Sequence, residues 1–85
     1  KEKEMKRILR FTASWCKPCT QLKENLVRAE LKTPVEVYDI DENTEIANEY
    51  GVRNLPTMIL LDENTEVSRM VGVKTPKQLK EWAGE

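Results

Sequence analysis

Apolar and polar residues along this chain alternate between two periods. Met5 to Thr12 carries Ile8, Leu9 and Phe11 and reads as a first strand. From Lys17 to about Leu31, Cys19, Leu22, Leu26 and Ala29 recur at i, i+3, i+7 and i+10, the stripe of an amphipathic helix. Thr33-Pro34 breaks that helix, because a residue before proline avoids helical geometry. Val35 to Ile40 is a second strand, with Val35 and Val37 alternating against Glu36. Asp41-Glu42-Asn43 is a turn, and Thr44 is the expected cap of a short helix with Ile46, Ala47 and Tyr50 on one face. Gly51 suits the left-handed position just past its end. Thr57 to Leu61 is nearly all apolar, as in a central strand covered on both faces. Asp62-Glu63-Asn64-Thr65 reads as a hairpin loop, Val67 to Val71 as the return strand, and Gly72 as its break. Thr75-Pro76 is a good N-cap and first-turn pair for a last helix whose inner face is Leu79, Trp82 and Ala83.

The predicted order is β-α-β-α-β-β-α. The first β-α-β must cross over right-handed to lay its strands parallel, and the last two strands form an antiparallel hairpin. An α/β fold follows: one mixed four-stranded sheet flanked by helices on both faces. The chain has 85 residues, which bounds it to one domain over 1–85. Its net charge of −1 gives no footprint for nucleic acid or an anionic membrane. No apolar run approaches the ~20 residues of a membrane span. Lys1-Glu2-Lys3-Glu4 is charged and is not followed by a signal-peptide core. A cytoplasmic monomer is expected. Residue 1 is not Met, so a trimmed start or a lost leader stays open.

The candidate chemistry lies in Trp15-Cys16-Lys17-Pro18-Cys19, which holds both cysteines. At a helix start, residues i and i+3 are neighbours on one face, so the pair can hold two thiols or one disulfide with little backbone change. Cys19 falls on the buried stripe. Cys16 falls at the helix N-terminus, where free N–H groups and the macrodipole favour an anion and lower a thiol pKa. Lys17 adds a positive charge beside it. Pro18 suits a first turn, where its missing N–H costs nothing. A purely structural disulfide competes with this reading, but so small a ring would remove little unfolded-chain entropy. Half of a zinc site also competes. Zinc needs about four ligands, and the chain has no further cysteine and no histidine. Redox cycling is the favoured reading, with no metal and no bound cofactor.

The chain resembles the thioredoxin family over nearly its whole length. The resemblance rests on Phe11, Trp15, Cys16, Pro18 and Cys19, on Asp39-Ile40-Asp41, on Tyr50 to Thr57, on Val71-Gly72 and on Gln78-Leu79-Lys80, in order and at matching separations. A C-x-x-C beside a βαβ pattern also fits. The chain looks like a shortened member, without the family's first strand and helix. The resemblance implies a cis-proline at Pro56. Leu55 would then present its backbone beside the cysteines, where an extended substrate segment can pair like an added strand. Gly72 would complete that rim, because a side chain there would block approach; a simple strand-end turn is the plainer alternative. Trp15 would form an apolar contact surface, its N–H bonded to a carboxylate such as Asp41. Trp82 reads as core.

Three departures from the family stand out. Its buried Asp, six residues before the first cysteine, is Arg10 here. The Lys that partners that Asp is Val37, and the usual second tryptophan is Thr12. The proton-accepting role of that Asp therefore does not carry over. Arg10 could turn inward and stabilise a Cys19 thiolate. It could equally send its head to solvent while its stem covers the strand. Lys17 replaces the commoner Gly of the motif.

The implied function is a thiol–disulfide oxidoreductase that reduces protein disulfides through a Cys16/Cys19 cycle, recharged by a thioredoxin reductase-type electron donor. A glutaredoxin-like enzyme coupled to glutathione is one alternative. A docking subunit that uses the fold without catalysis is another.

Overall fold

A computed structural model describes residues 5–85. The expectation for Lys1-Glu2-Lys3-Glu4 lies outside the described residues. The elements are β1 (Lys6–Thr12), α1 (Lys17–Ala29), β2 (Val35–Asp39), α2 (Thr44–Glu49), β3 (Thr57–Asp62), β4 (Thr65–Val71) and α3 (Pro76–Ala83). The strands form one sheet in the order β2-β1-β3-β4. β1 pairs parallel with β2 and antiparallel with β3, and β3 pairs antiparallel with β4. This is the predicted mixed sheet.

Alternation along β1 and β3 explains the layers. Ile8, Met58 and Leu60 face α1 and α3, packing with Leu22, Ala29, Leu79 and Ala83. Leu9, Phe11, Ile59 and Leu61 face the other way, packing with Ala47 of α2 and with Tyr38, Tyr50 and Leu55. Phe11 stacks on Tyr38 with ring centroids 5.7 Å apart. The central residues of β1 and most of β3 are therefore buried on both faces. Truncating one such core side chain costs about 2–5 kcal/mol, a large share of the 5–15 kcal/mol of a whole domain.

Boundaries depart from expectation where local geometry overrode the pattern. α1 ends at Ala29, before Leu31, because Glu30 turns left-handed (φ 53°) and its N–H bonds back to Leu26. The cap of α2 is Asn43, not Thr44, and the Asn43 side chain donates to the Asp39 carbonyl instead of capping a helix N–H. The hairpin turn is only Glu63-Asn64, both at positive φ (52° and 69°), so β4 begins at Thr65 and not Val67. Two consecutive positive-φ residues match the twist of the flanking strands. Leu60 then pairs with Ser68 and Leu61 with Glu66, which leaves Val67 as a bulge. α3 starts as expected. The Thr75 hydroxyl accepts from the Gln78 N–H at 3.1 Å, and the Gln78 side chain accepts from the Thr75 N–H at 3.0 Å. Trp82 packs at the edge of the α1/α3 core and donates its indole N–H to Ser68 at 2.9 Å.

Candidate active site

The site forms where the C-terminal ends of β1 and β2 meet the start of α1. The chain leaves β1 at Thr12, whose carbonyl accepts from the Ile40 N–H at 2.9 Å and so ties down the end of β2. Ala13 begins a turn closed by the Cys16 N–H on the Ala13 carbonyl at 3.2 Å. Cys16 then becomes the N-cap of α1, in extended geometry. Its Sγ accepts from the Cys19 N–H at 3.2 Å, the position a capping oxygen usually fills. Pro18 sits in the first turn, as expected. A sulfur held there faces the positive end of the helix. Those donors bind a thiolate more strongly than a thiol.

The two cysteines are joined in a disulfide, with Cα atoms 5.3 Å apart. Cys16 is 6 % exposed and Cys19 1 %. The helix-start position predicts an exposed Cys16 and a buried Cys19; here both are buried, with Cys16 slightly the more accessible. Ala13, Cys16 and Cys19 form a small apolar cluster closed by Ile40 and Leu55. Leu55 arrives from the loop before β3, whose Leu55–Pro56 bond is cis, as the resemblance implied. The Thr57 hydroxyl donates to the Asn54 carbonyl and the Gly72 N–H to the Pro56 carbonyl, which pins this loop to the sheet. Among the described residues, neither the N–H nor the C=O of Leu55 has a hydrogen-bond partner.

Trp15 is exposed, and its indole N–H donates to Asp41 at 3.0 Å, the pairing expected for it. A groove of about 500 Å³ runs beside the disulfide. It is lined by Trp15, Cys16, Lys17, Pro18, Ile40, Arg53, Asn54 and Leu55. Cys16 opens into it and Cys19 does not. Gly72 is not part of its lining. A Cβ built on Gly72 would meet nothing within 4 Å, so its positive φ (94°), and not crowding within the chain, is what calls for glycine. Ile40, Arg53 and Asn54 line the groove without having been singled out from sequence. Arg53 and Asn54 lay inside the Tyr50–Thr57 stretch of the resemblance, the one signal that pointed toward them.

Arg10 is 7 % exposed, on the sheet face covered by α1. Burial pushes its pKa down. It makes no hydrogen bond or ion pair with a described residue, yet no fully buried side-chain nitrogen there lacks a partner. Its guanidinium nitrogens therefore still touch water. The side chain as a whole is nonetheless buried, so the guanidinium is largely desolvated and meets water only at its edge. Among the described residues, no group of three His, Cys, Asp or Glu side chains could hold a metal, and no helix is long and apolar enough to cross a membrane.

A four-stranded mixed sheet that presents a disulfide at a helix N-terminus beside a cis-proline loop defines a thiol–disulfide oxidoreductase. The thioredoxin family profile matches residues 1–85. Among curated relatives, thioredoxin of Rickettsia felis is 33 % identical over 85 residues, covering 95 % of this chain and 81 % of the relative. Thioredoxin of Bacillus subtilis is 35 % identical over 75 residues, covering 84 % and 72 %. Among solved structures, thioredoxin-2 of a malaria parasite superposes with a TM-score of 0.88 at 25 % identity, covering 99 % of this chain and 85 % of that one. The N21Q mutant thioredoxin of Halobacterium salinarum gives 0.83 at 31 % identity, covering 92 % and 71 %. The chain belongs to the thioredoxin family, and its Cys16–Cys19 pair makes it a protein-disulfide oxidoreductase.

Proposed function

We propose that the protein reduces protein disulfides with Cys16 as nucleophile and Cys19 as resolving thiol. The observation that carries this is the asymmetry of the pair: Cys16 lines the groove, and Cys19 lies behind it. The Cys16 thiolate attacks one sulfur of the substrate disulfide. A Cys16–substrate disulfide forms, and the other substrate sulfur leaves as a thiolate that takes up a proton. Cys19, deprotonated, then attacks the Cys16 sulfur. The Cys16–Cys19 disulfide forms, and the second substrate sulfur leaves reduced. Two electrons pass from the pair to the substrate. A reductase of the thioredoxin-reductase type returns them.

The remaining residues support that cycle. The α1 N-terminus and Lys17 lower the Cys16 pKa, and Pro18 holds the first turn. Leu55 offers its unpaired N–H and C=O to an extended substrate segment, as an edge strand does, with Pro56 and Gly72 beside it. Trp15, held by Asp41, supplies an apolar wall. Arg10 is a weak tuner, because its guanidinium bonds to neither cysteine and keeps an edge at water. The cytoplasm is the proposed setting, consistent with bacterial thioredoxins among the relatives and with a single redox pair.

A turnover assay on an insulin-type disulfide tests the reading. Turnover driven by NADPH and a thioredoxin reductase is expected. Turnover only with glutathione and glutathione reductase would replace the proposed partner, and none with either donor would remove the activity.

A further inference from the structure

Two cations converge on the groove from separate parts of the chain. Lys17 stands in the first turn of α1, and Arg53 in the loop before β3. Both are exposed, and neither makes an ion pair or hydrogen bond with a described residue. No carboxylate lines the groove. Asp41, behind Trp15, already accepts the indole N–H. The chain as a whole carries a net charge of −1, so this local excess is a placement and not a bias of composition.

The reacting state sharpens the argument. With Cys16 as a thiolate, the groove holds two positive charges and one negative. It stays net positive while the nucleophile is charged. An acidic segment would otherwise be repelled by the thiolate that must attack it. Here Lys17 lies next to Cys16 in sequence and offsets that repulsion. Arg53 stands in the loop that also carries Leu55, and its planar fork suits a carboxylate.

We propose that the groove selects disulfide-bearing segments that carry a carboxylate within a residue or two of the attacked sulfur, with Lys17 and Arg53 as the groups that bind it. The proposal rests on the thiol–disulfide reading above and adds a substrate class to it. Attraction in a partly shielded groove works on encounter and on the bound segment alike. It is therefore read in kcat/KM, and it weakens as salt rises.

The test uses three peptides that differ only beside a single cysteine, which is joined by a disulfide to a chromogenic thiol. The flanking residues are glutamate, glutamine or lysine. The reduced protein should release the chromophore in the order Glu over Gln over Lys, with about a tenfold span, equal to about 1.4 kcal/mol. High salt should compress that span. Arg53→Glu should reverse the order, and Arg53→Lys should keep it. Lys17→Gln should narrow the span in an independent variant. Equal rates for the three peptides, or an unchanged order in Arg53→Glu, overturn the proposal while leaving the reductase reading intact. Release from none of the peptides overturns the reductase reading itself.

Discussion

The two ends of the sheet are built on opposite terms. At the end away from the cysteines, polar side chains are cross-linked. Arg7 reaches Glu36 at 2.8 Å and Asn64 at 2.8 Å, and the Tyr38 hydroxyl donates to the same Glu36 oxygen at 2.9 Å. The Glu85 carboxylate accepts from the Lys32 and Thr33 N–H groups at 2.7 and 2.8 Å and from the Thr33 hydroxyl at 2.7 Å. The first set ties the start of β1 to β2 and the hairpin turn, and the second ties the residue after α3 to the loop before β2. At the cysteine end, among the described residues, Leu55 keeps an unpaired N–H and C=O, Lys17 and Arg53 make no ion pair, and Trp15 is exposed. One end satisfies its groups internally and holds the fold. The other leaves its groups without a partner among the described residues.

That contrast is broken most severely at the nucleophile. Cys16→Ser should lower turnover below about a thousandth of wild type, because the hydroxyl cannot take the thiolate's part. Serine still caps α1, so folding should persist, as a circular-dichroism melt would show. Cys19→Ser should instead accumulate a mixed disulfide on Cys16, visible by intact mass. No trapped adduct in Cys19→Ser, or an adduct on Cys19 in Cys16→Ser, would mean that the groove does not present Cys16.

At the opposite end the expected effects are on stability, with turnover untouched. Glu36→Gln removes the charge that Arg7 pairs with. Both partners are more than a third or close to a third exposed, so the cost should be about 0.2–1 kcal/mol in denaturant unfolding. A loss of turnover without a loss of stability would erase the division between the ends.

Glu85 gives a smaller, pH-dependent effect. Burial would raise its pKa, but the Lys32 and Thr33 N–H groups and the Thr33 hydroxyl together outweigh it and hold the carboxyl below its usual range. A depressed folded pKa means that its stabilising contribution is present above the unfolded value of about 4.3. That contribution is lost as pH falls through the folded pKa. Wild type should therefore exceed Glu85→Gln in stability at pH 7, and the gap should close in acid. A gap that widens in acid would reverse the sign of the account.

Much of this division was legible in the residues. The i, i+3 cysteines, the helix start at Lys17, the cap at Thr75-Pro76 and the apolar run of β3 are local signals, and the structure keeps all four. The cis bond before Pro56 and the Trp15–Asp41 pair came through the resemblance. What escaped was set by tertiary placement or by unusual backbone. Glu30, Glu63 and Asn64 adopt positive φ without glycine, so neither the end of α1 nor the tight hairpin announced itself. Arg53 and Asn54 enter the groove only because their loop folds over the start of α1.

Arg10 should give the smallest effect. Both orientations were open from sequence, and the structure buries Arg10 with only an edge of its guanidinium at water and no hydrogen bond to either cysteine. Arg10→Leu should shift the reduction potential by less than about 10 mV, since 30 mV corresponds to about 1.4 kcal/mol. A larger shift toward a more reducing potential would show the guanidinium acting on the Cys19 thiolate.

The most direct test of the open end is the pH dependence of alkylation of the reduced protein, read separately at each cysteine by peptide mapping. Cys16 should react first, with a rate that rises through a pKa below the free-thiol value of about 8.5. Cys19 should stay slow until higher pH. Faster labelling of Cys19, or a Cys16 profile centred at or above 8.5, would contradict the assignment of Cys16 as the nucleophile presented by the helix start.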